Sequence, residues 1–152
     1  SIGVGAMLVD IGEIWCCGLN PSGQPWQIGI DNPTDGNDTP GKDLRAVWKA
    51  PSAEGRGIVT SGNYRKYYIH DGKKYAHTID PRSGYPVQHS LLSATVVAPT
   101  ASQADALATA FMVMGPSEAR RYVLEDPSVE AFLVCADSVW ASPGFFVNSQ
   151  PQ

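Results

Sequence analysis

Ser102-Gln103-Ala104-Asp105-Ala106-Leu107-Ala108-Thr109-Ala110-Phe111-Met112-Val113-Met114-Gly115 is the stretch that decides the fold. Ser102 can cap a helix, Asp105 follows three residues on as in a Ser/Thr-x-x-Asp/Glu box, and Gly115 can close the C-terminus. Leu107, Phe111 and Met114 recur at helical spacing, which turns that side toward a core. Asp105 and Thr109, four apart, stack a carboxylate above a hydroxyl on one face near the N-terminal end. Such oxygen ligands suit a hard cation that holds a phosphate, and a helix N-terminus independently favours phosphate. A plainer reading stands beside this one. Asp105 caps the helix and complements its dipole, and Thr109 donates back to the carbonyl four residues earlier.

Outward from the helix, residues 91–98 (Leu-Leu-Ser-Ala-Thr-Val-Val-Ala) read as a buried strand leading into it. Residues 116–124 start a second helix with Ser117 as cap, and 129–135 pairs with 139–141 across a short turn. Upstream, Asp71-Gly72 between residues 65–70 and 73–78 is the strongest hairpin signal, and a turn follows at 80–86. Residues 57–62 form a strand ending in small residues, where a backbone or ligand can approach closely. Residues 44–49 make another strand, and 31–43 a polar surface loop. At the start, a buried strand over 6–11 breaks at Gly12 and resumes through Cys17. Residues 25–30 alternate and return to complete a hairpin with it. The sum is α+β, a mostly antiparallel sheet with helices packed on it.

Composition narrows the function. The 152 residues suit a single domain over 1–152 with a proper core, and 15 glycines and 12 prolines point to many turns. Charged residues make up 17%, the net charge is −4 and no basic stripe appears, which argues against nucleic acid as a partner. No apolar run has the length to span a bilayer. Cys16, Cys17 and Cys135 show neither a C-x-x-C pair nor a zinc spacing, and read as free thiols on strands. The opening Ser1-Ile2-Gly3, without methionine, suggests a trimmed piece.

Four blocks then fall in order: Leu8-Val9-Asp10-Ile11-Gly12-Glu13-Ile14; Asn20-Pro21 through Trp26-Gln27-Ile28-Gly29-Ile30; Thr60-Ser61-Gly62-Asn63-Tyr64 with His77-Thr78-Ile79-Asp80-Pro81-Arg82-Ser83-Gly84-Tyr85-Pro86; and Ala104-Asp105-Ala106-Leu107-Ala108-Thr109-Ala110 with Met112-Val113-Met114-Gly115. The series closely resembles the ApbE family, flavin transferases formerly called thiamine biosynthesis lipoproteins. It departs from the family at Gly12-Glu13, where members usually carry two glycines before the glutamate. Family members are also much longer, so the resemblance is to their C-terminal part.

The resemblance implies a Mg²⁺-dependent FAD:protein FMN transferase. Such an enzyme splits FAD, moves FMN onto a threonine of an acceptor flavoprotein subunit and leaves AMP. It further implies a periplasmic location or one on the outer face of the cytoplasmic membrane, with a lipid anchor on the parent. Asp105 and Thr109 match the family's metal-binding pair. His77 matches the histidine proposed to take the proton from the target threonine; its plainer role is a hydrogen-bonded strand histidine. Ile79 matches a position whose backbone contacts FAD. Ser61, Gly62 and Tyr64 are expected to line the same cleft, with ordinary packing the alternative for Tyr64. His89 reads as a surface residue. The competing function is a non-catalytic module of the same fold that binds FAD or a partner.

Overall fold

The computed structural model describes residues 4–51, 54–64, 67–70, 73–76 and 78–146. In chain order the elements are β1 (Met7–Asp10), β2 (Ile14–Cys17), β3 (Gln27–Asp31), β4 (Leu44–Lys49), β5 (Arg56–Gly62), β6 (Tyr67–His70), β7 (Lys73–Ala76), β8 (Leu91–Ala98), α1 (Ala101–Met114), α2 (Pro116–Glu125), β9 (Glu130–Cys135) and β10 (Val139–Ala141). Six strands form one sheet in the order β1-β2-β5-β8-β9-β10, every neighbouring pair antiparallel. β3 pairs with β4 and β6 with β7 in two separate two-stranded sheets. The architecture is α+β and mostly antiparallel, as the sequence predicts.

β8 is the spine. Its burial is nearly continuous, as expected of a strand covered on both faces. On one face Val59, Ala94, Val96 and Leu133 pack against Ala104, Ala108, Phe111 and Met112 of α1, with Ala119 and Val123 of α2 in the same core. On the other, Ile58, Val97, Phe132 and Val134 meet Ile28, Ile30 and Trp48 from the β3–β4 pair. The large sheet is therefore the middle of three layers, which suits strands with alternate side chains in two separate cores.

Several local expectations are revised. Residues 25–30 do not pair with β2 to complete the first hairpin, because β1 and β2 pair with each other and β3 crosses to the second layer. Pro25 has no N–H to extend a ladder and makes only a single bridge to Leu19, while the Trp26 indole N–H holds the crossing by donating to the Cys17 carbonyl at 3.0 Å. Second, β1 is not buried. It is the sheet's edge, and Met7 and Val9 stand exposed.

Third, Thr100 rather than Ser102 caps α1. Its backbone is extended after Pro99, and its Oγ1 accepts from the Gln103 N–H at 3.2 Å. The helix thus begins one residue before Ser102, and its first turn contains no acidic residue. Gly115, at a φ of 84°, ends the helix with its N–H donating to the Phe111 carbonyl at 2.9 Å. Gly115 is also the N-cap of α2, so Ser117 does not cap, and Pro116 fills the first helical position. Met114, expected to face the core, is exposed, and Ala104 and Ala108 take the inward positions instead. Their small side chains let α1 lie close to the sheet.

Candidate functional site

The site is built where α1 lies along β5. A Cβ on Gly57 would fall 2.5 Å from Ala101 Cα, so only a glycine allows the helix start to rest on the strand. Four residues along β5 advance about 13 Å. Eight along a helix advance about 12 Å. The two elements therefore stay in step, and the next polar contact occurs where that match predicts. The hydroxyls of Ser61 and Thr109 lie 3.3 Å apart. Val59, between Gly57 and Ser61, enters the helix-side core.

β2 pairs with β5 only at Arg56–Ile58, so among the described residues Val59–Gly62 has no strand neighbour on that side. A cleft of about 570 Å³ opens there. That volume is in the range of small-molecule sites. Its walls include Ser61, Gly62, Tyr64, Thr78 and Thr109, the β3 residues Ile28–Asp31, and Asp10 and Gly12 of the first turn. Gly62 is needed locally, because a Cβ there would lie 2.8 Å from Tyr64 Cε1. Across the strand, the Thr60 and Thr95 hydroxyls hydrogen bond at 2.8 Å and tie this end of β5 to the buried spine.

Of the sequence-derived residues, Ser61, Gly62, Tyr64 and Thr109 therefore share one cleft. Asp105 sits one helical turn before Thr109 but lines an adjoining groove with Ala101, Ser102, Met7, Val9, Ile11, Glu13 and Trp15. Ile79 is exposed at the cleft rim, directly after the wall residue Thr78 and bridged to Pro86. Thr78 is fixed by donating from Oγ1 to Asn63 Oδ1 at 3.2 Å. The following turn is braced by Asp80, whose carboxylate takes a two-pronged contact from Arg82 through Nε at 3.0 Å and Nη2 at 2.9 Å. That pairing holds the Asp80 pKa below its usual value. His77 lies outside the described residues.

The helix geometry removes the plain explanations for the pair on α1. Thr100 does the capping, so Asp105 does not, and its carboxylate has no hydrogen bond or ion pair among the described residues. The Thr109 hydroxyl bonds across to Ser61 rather than back along its own helix. A carboxylate and a hydroxyl one turn apart are hard oxygen donors suited to Mg²⁺, which commonly uses one or two carboxylates and completes its octahedron with water and substrate phosphate. No group of three or more His, Cys, Asp or Glu side chains able to hold a metal occurs among the described residues. The pair offers a hard cation two oxygen donors and leaves its other positions to water or phosphate.

Two cleft carboxylates were not singled out by the sequence. Asp10 Oδ1 accepts from the Gly12 N–H at 3.2 Å, and Asp31 Oδ1 accepts from the Gly41 N–H at 2.8 Å. The visible signal was an acidic residue interrupting each apolar run, Leu8-Val9-Asp10-Ile11 and Ile28-Gly29-Ile30-Asp31. His89 is half-buried rather than a surface residue. Its Nδ1 accepts from the Leu91 N–H at 3.3 Å, which leaves Nε2 protonated to donate to the Met112 carbonyl at 2.9 Å. It pins the last turn of α1 and is structural.

Comparison with known proteins matches residues 1–133 to the model described as the ApbE family. The FAD:protein FMN transferase of Escherichia coli K12 is 38% identical over 148 residues, 94% of this chain and 40% of that protein. The protein of the same name from Haemophilus influenzae is 43% identical over 128 residues, 84% of this chain and 35% of its own. Among solved structures, the ApbE protein of Thermotoga maritima superposes with a TM-score of 0.77 at 30% identity, covering 95% of this chain and 45% of that one. The flavinyl transferase ApbE of Pseudomonas stutzeri gives 0.74 at 33% identity, covering 95% and 44%. The chain thus spans less than half the length of these relatives.

Proposed function

This chain belongs to the ApbE family, and from that premise we propose that it supplies the metal-binding and cleft residues of an FAD:protein FMN transferase. The observation that carries the reading is the juxtaposition on α1 and β5. Asp105, freed from capping, stands one turn from Thr109, whose hydroxyl faces a cleft of about 570 Å³ beside the open edge of β5.

In this reading Asp105 and Thr109 would hold Mg²⁺. When bound, that ion neutralises the charge that develops on the phosphoryl group under attack. The chain's own residues do the rest. Gly62 keeps the cleft wall thin beside Tyr64, and Ile79, which follows the anchored Thr78, would offer its backbone to the nucleotide. His77 takes the proton from the acceptor threonine hydroxyl, a task suited to an imidazole near neutral pH. The acceptor oxygen then attacks the FMN phosphorus, the pyrophosphate bond breaks, and AMP leaves with the bridging oxygen. By the same family resemblance the chain is the C-terminal part of a longer, lipid-anchored enzyme working outside the cytoplasmic membrane.

The test is transfer itself. Full-length protein, FAD, Mg²⁺ and an acceptor flavoprotein subunit should yield equal amounts of AMP and covalently bound FMN. Asp105→Asn should slow transfer on the order of a hundredfold. Transfer unchanged in Asp105→Asn would overturn the metal assignment. FAD binding without AMP release would identify a binding module instead.

A further inference from the structure

We propose that Ser61 is a positioning residue: its hydroxyl oxygen accepts a hydrogen bond from the Thr109 O–H and so turns the Thr109 oxygen lone pairs outward as a cation ligand. The inference rests on the metal-binding reading above. A hydroxyl that ligates a cation does so through oxygen, so its proton needs an acceptor elsewhere. Helical threonine has a ready one in the carbonyl four residues back. For Thr109 that carbonyl belongs to Asp105, and satisfying it would draw the hydroxyl down onto the helix backbone.

Ser61 Oγ, 3.3 Å from Thr109 Oγ1, offers the competing acceptor. Its position is fixed by the sheet. β5 pairs with β8 at Ser61–Ala94, next to the Thr60–Thr95 hydroxyl bond, and Gly57 sets the height of α1 on the same strand. The acceptor is thus held on a strand of the central sheet while the ligand rides on the helix. In this arrangement Ser61 acts on the metal through Thr109, and a nucleotide need not touch it.

The experiment uses the full-length protein with FAD and no acceptor, and titrates Mn²⁺ followed by its paramagnetic resonance signal. Ser61→Ala should raise the Mn²⁺ Kd about tenfold, and Ser61→Thr, which keeps the hydroxyl, should restore it. Metal-free FAD affinity should change far less than the Mn²⁺ Kd in Ser61→Ala. Asp105→Asn serves as the reference, because it removes the carboxylate ligand. A normal Mn²⁺ Kd in Ser61→Ala with a raised one in Asp105→Asn overturns the Ser61 proposal and spares the metal site. Equal weakening of metal-free FAD binding also overturns it, because Ser61 would then contact the nucleotide directly. Mn²⁺ binding that is absent in the wild type, or indifferent to both residues, removes the metal reading and this proposal together.

Discussion

Gly57→Ala tests whether α1 is registered on β5 as described. The new methyl would lie 2.5 Å from Ala101 Cα, Ala101 N and the Thr100 carbonyl carbon, all backbone atoms of the helix start. Carbon atoms in contact sit about 3.5–4 Å apart, so α1 must withdraw by roughly 1 Å. No side-chain rotation relieves that contact. Overpacking of this kind costs about 1–3 kcal/mol, and a backbone wall argues for about 2. For a domain of this size that lowers Tm by about 4–8 °C. Urea unfolding followed by tryptophan fluorescence, with four tryptophans as reporters, reads the loss directly. Gly5→Ala is the control, because no atom lies within 4 Å of a Cβ there. The withdrawal would also lengthen the 3.3 Å Ser61–Thr109 contact, so Mn²⁺ affinity should fall with stability. Stability of Gly57→Ala within about 0.5 kcal/mol of wild type would refute the register argument.

Other outcomes follow from the same structure. Phe111→Ala removes a fully buried ring that packs edge-on against Tyr122, and should cost about 3–5 kcal/mol in the same urea assay. Burial, with Cys17 adding to it, pushes the Cys16 thiol up to about 11. At pH 8, therefore, iodoacetamide should label Cys17 in the native protein, and Cys16 and Cys135 only after denaturation, as peptide mapping will show. Because its folded pKa is raised, Cys16 favours the fold while it is protonated. That contribution is complete below pH 9 and is lost as pH rises toward 11, so Cys16→Ala should flatten the alkaline fall in Tm.

Much of the fold was legible because its signals are local. The apolar run of β8, the stop at Gly115 and the β6–β7 and β9–β10 hairpins each declare themselves within a dozen residues. What escaped depends on distance. Which strand β3 joins is decided by Pro25 and by a second core that Ile28, Ile30 and Trp48 can only fill from another layer. The choice between Thr100 and Ser102 as cap turns on how far β8 and Pro99 run before the helix starts, an offset within ordinary boundary uncertainty. The site residues came from motif resemblance. Their relation did not, because Ser61 and Thr109 are 48 positions apart and meet only when helix and strand advance in step.

The placement of β8 also has a kinetic meaning. It is paired on both sides, with a core on each face, whereas β1 is paired on one side and β5 loses its β2 partner after Ile58. Amide protons on β8 should exchange with solvent only when the whole molecule opens, and those of β1 through small, frequent openings. The cleft lies on the boundary between these regimes. Its Ser61 side borrows the slow clock of the centre, while the Asp10–Gly12 side keeps the fast clock of the edge. Such a site can hold the Ser61–Thr109 contact still while the opposite wall moves.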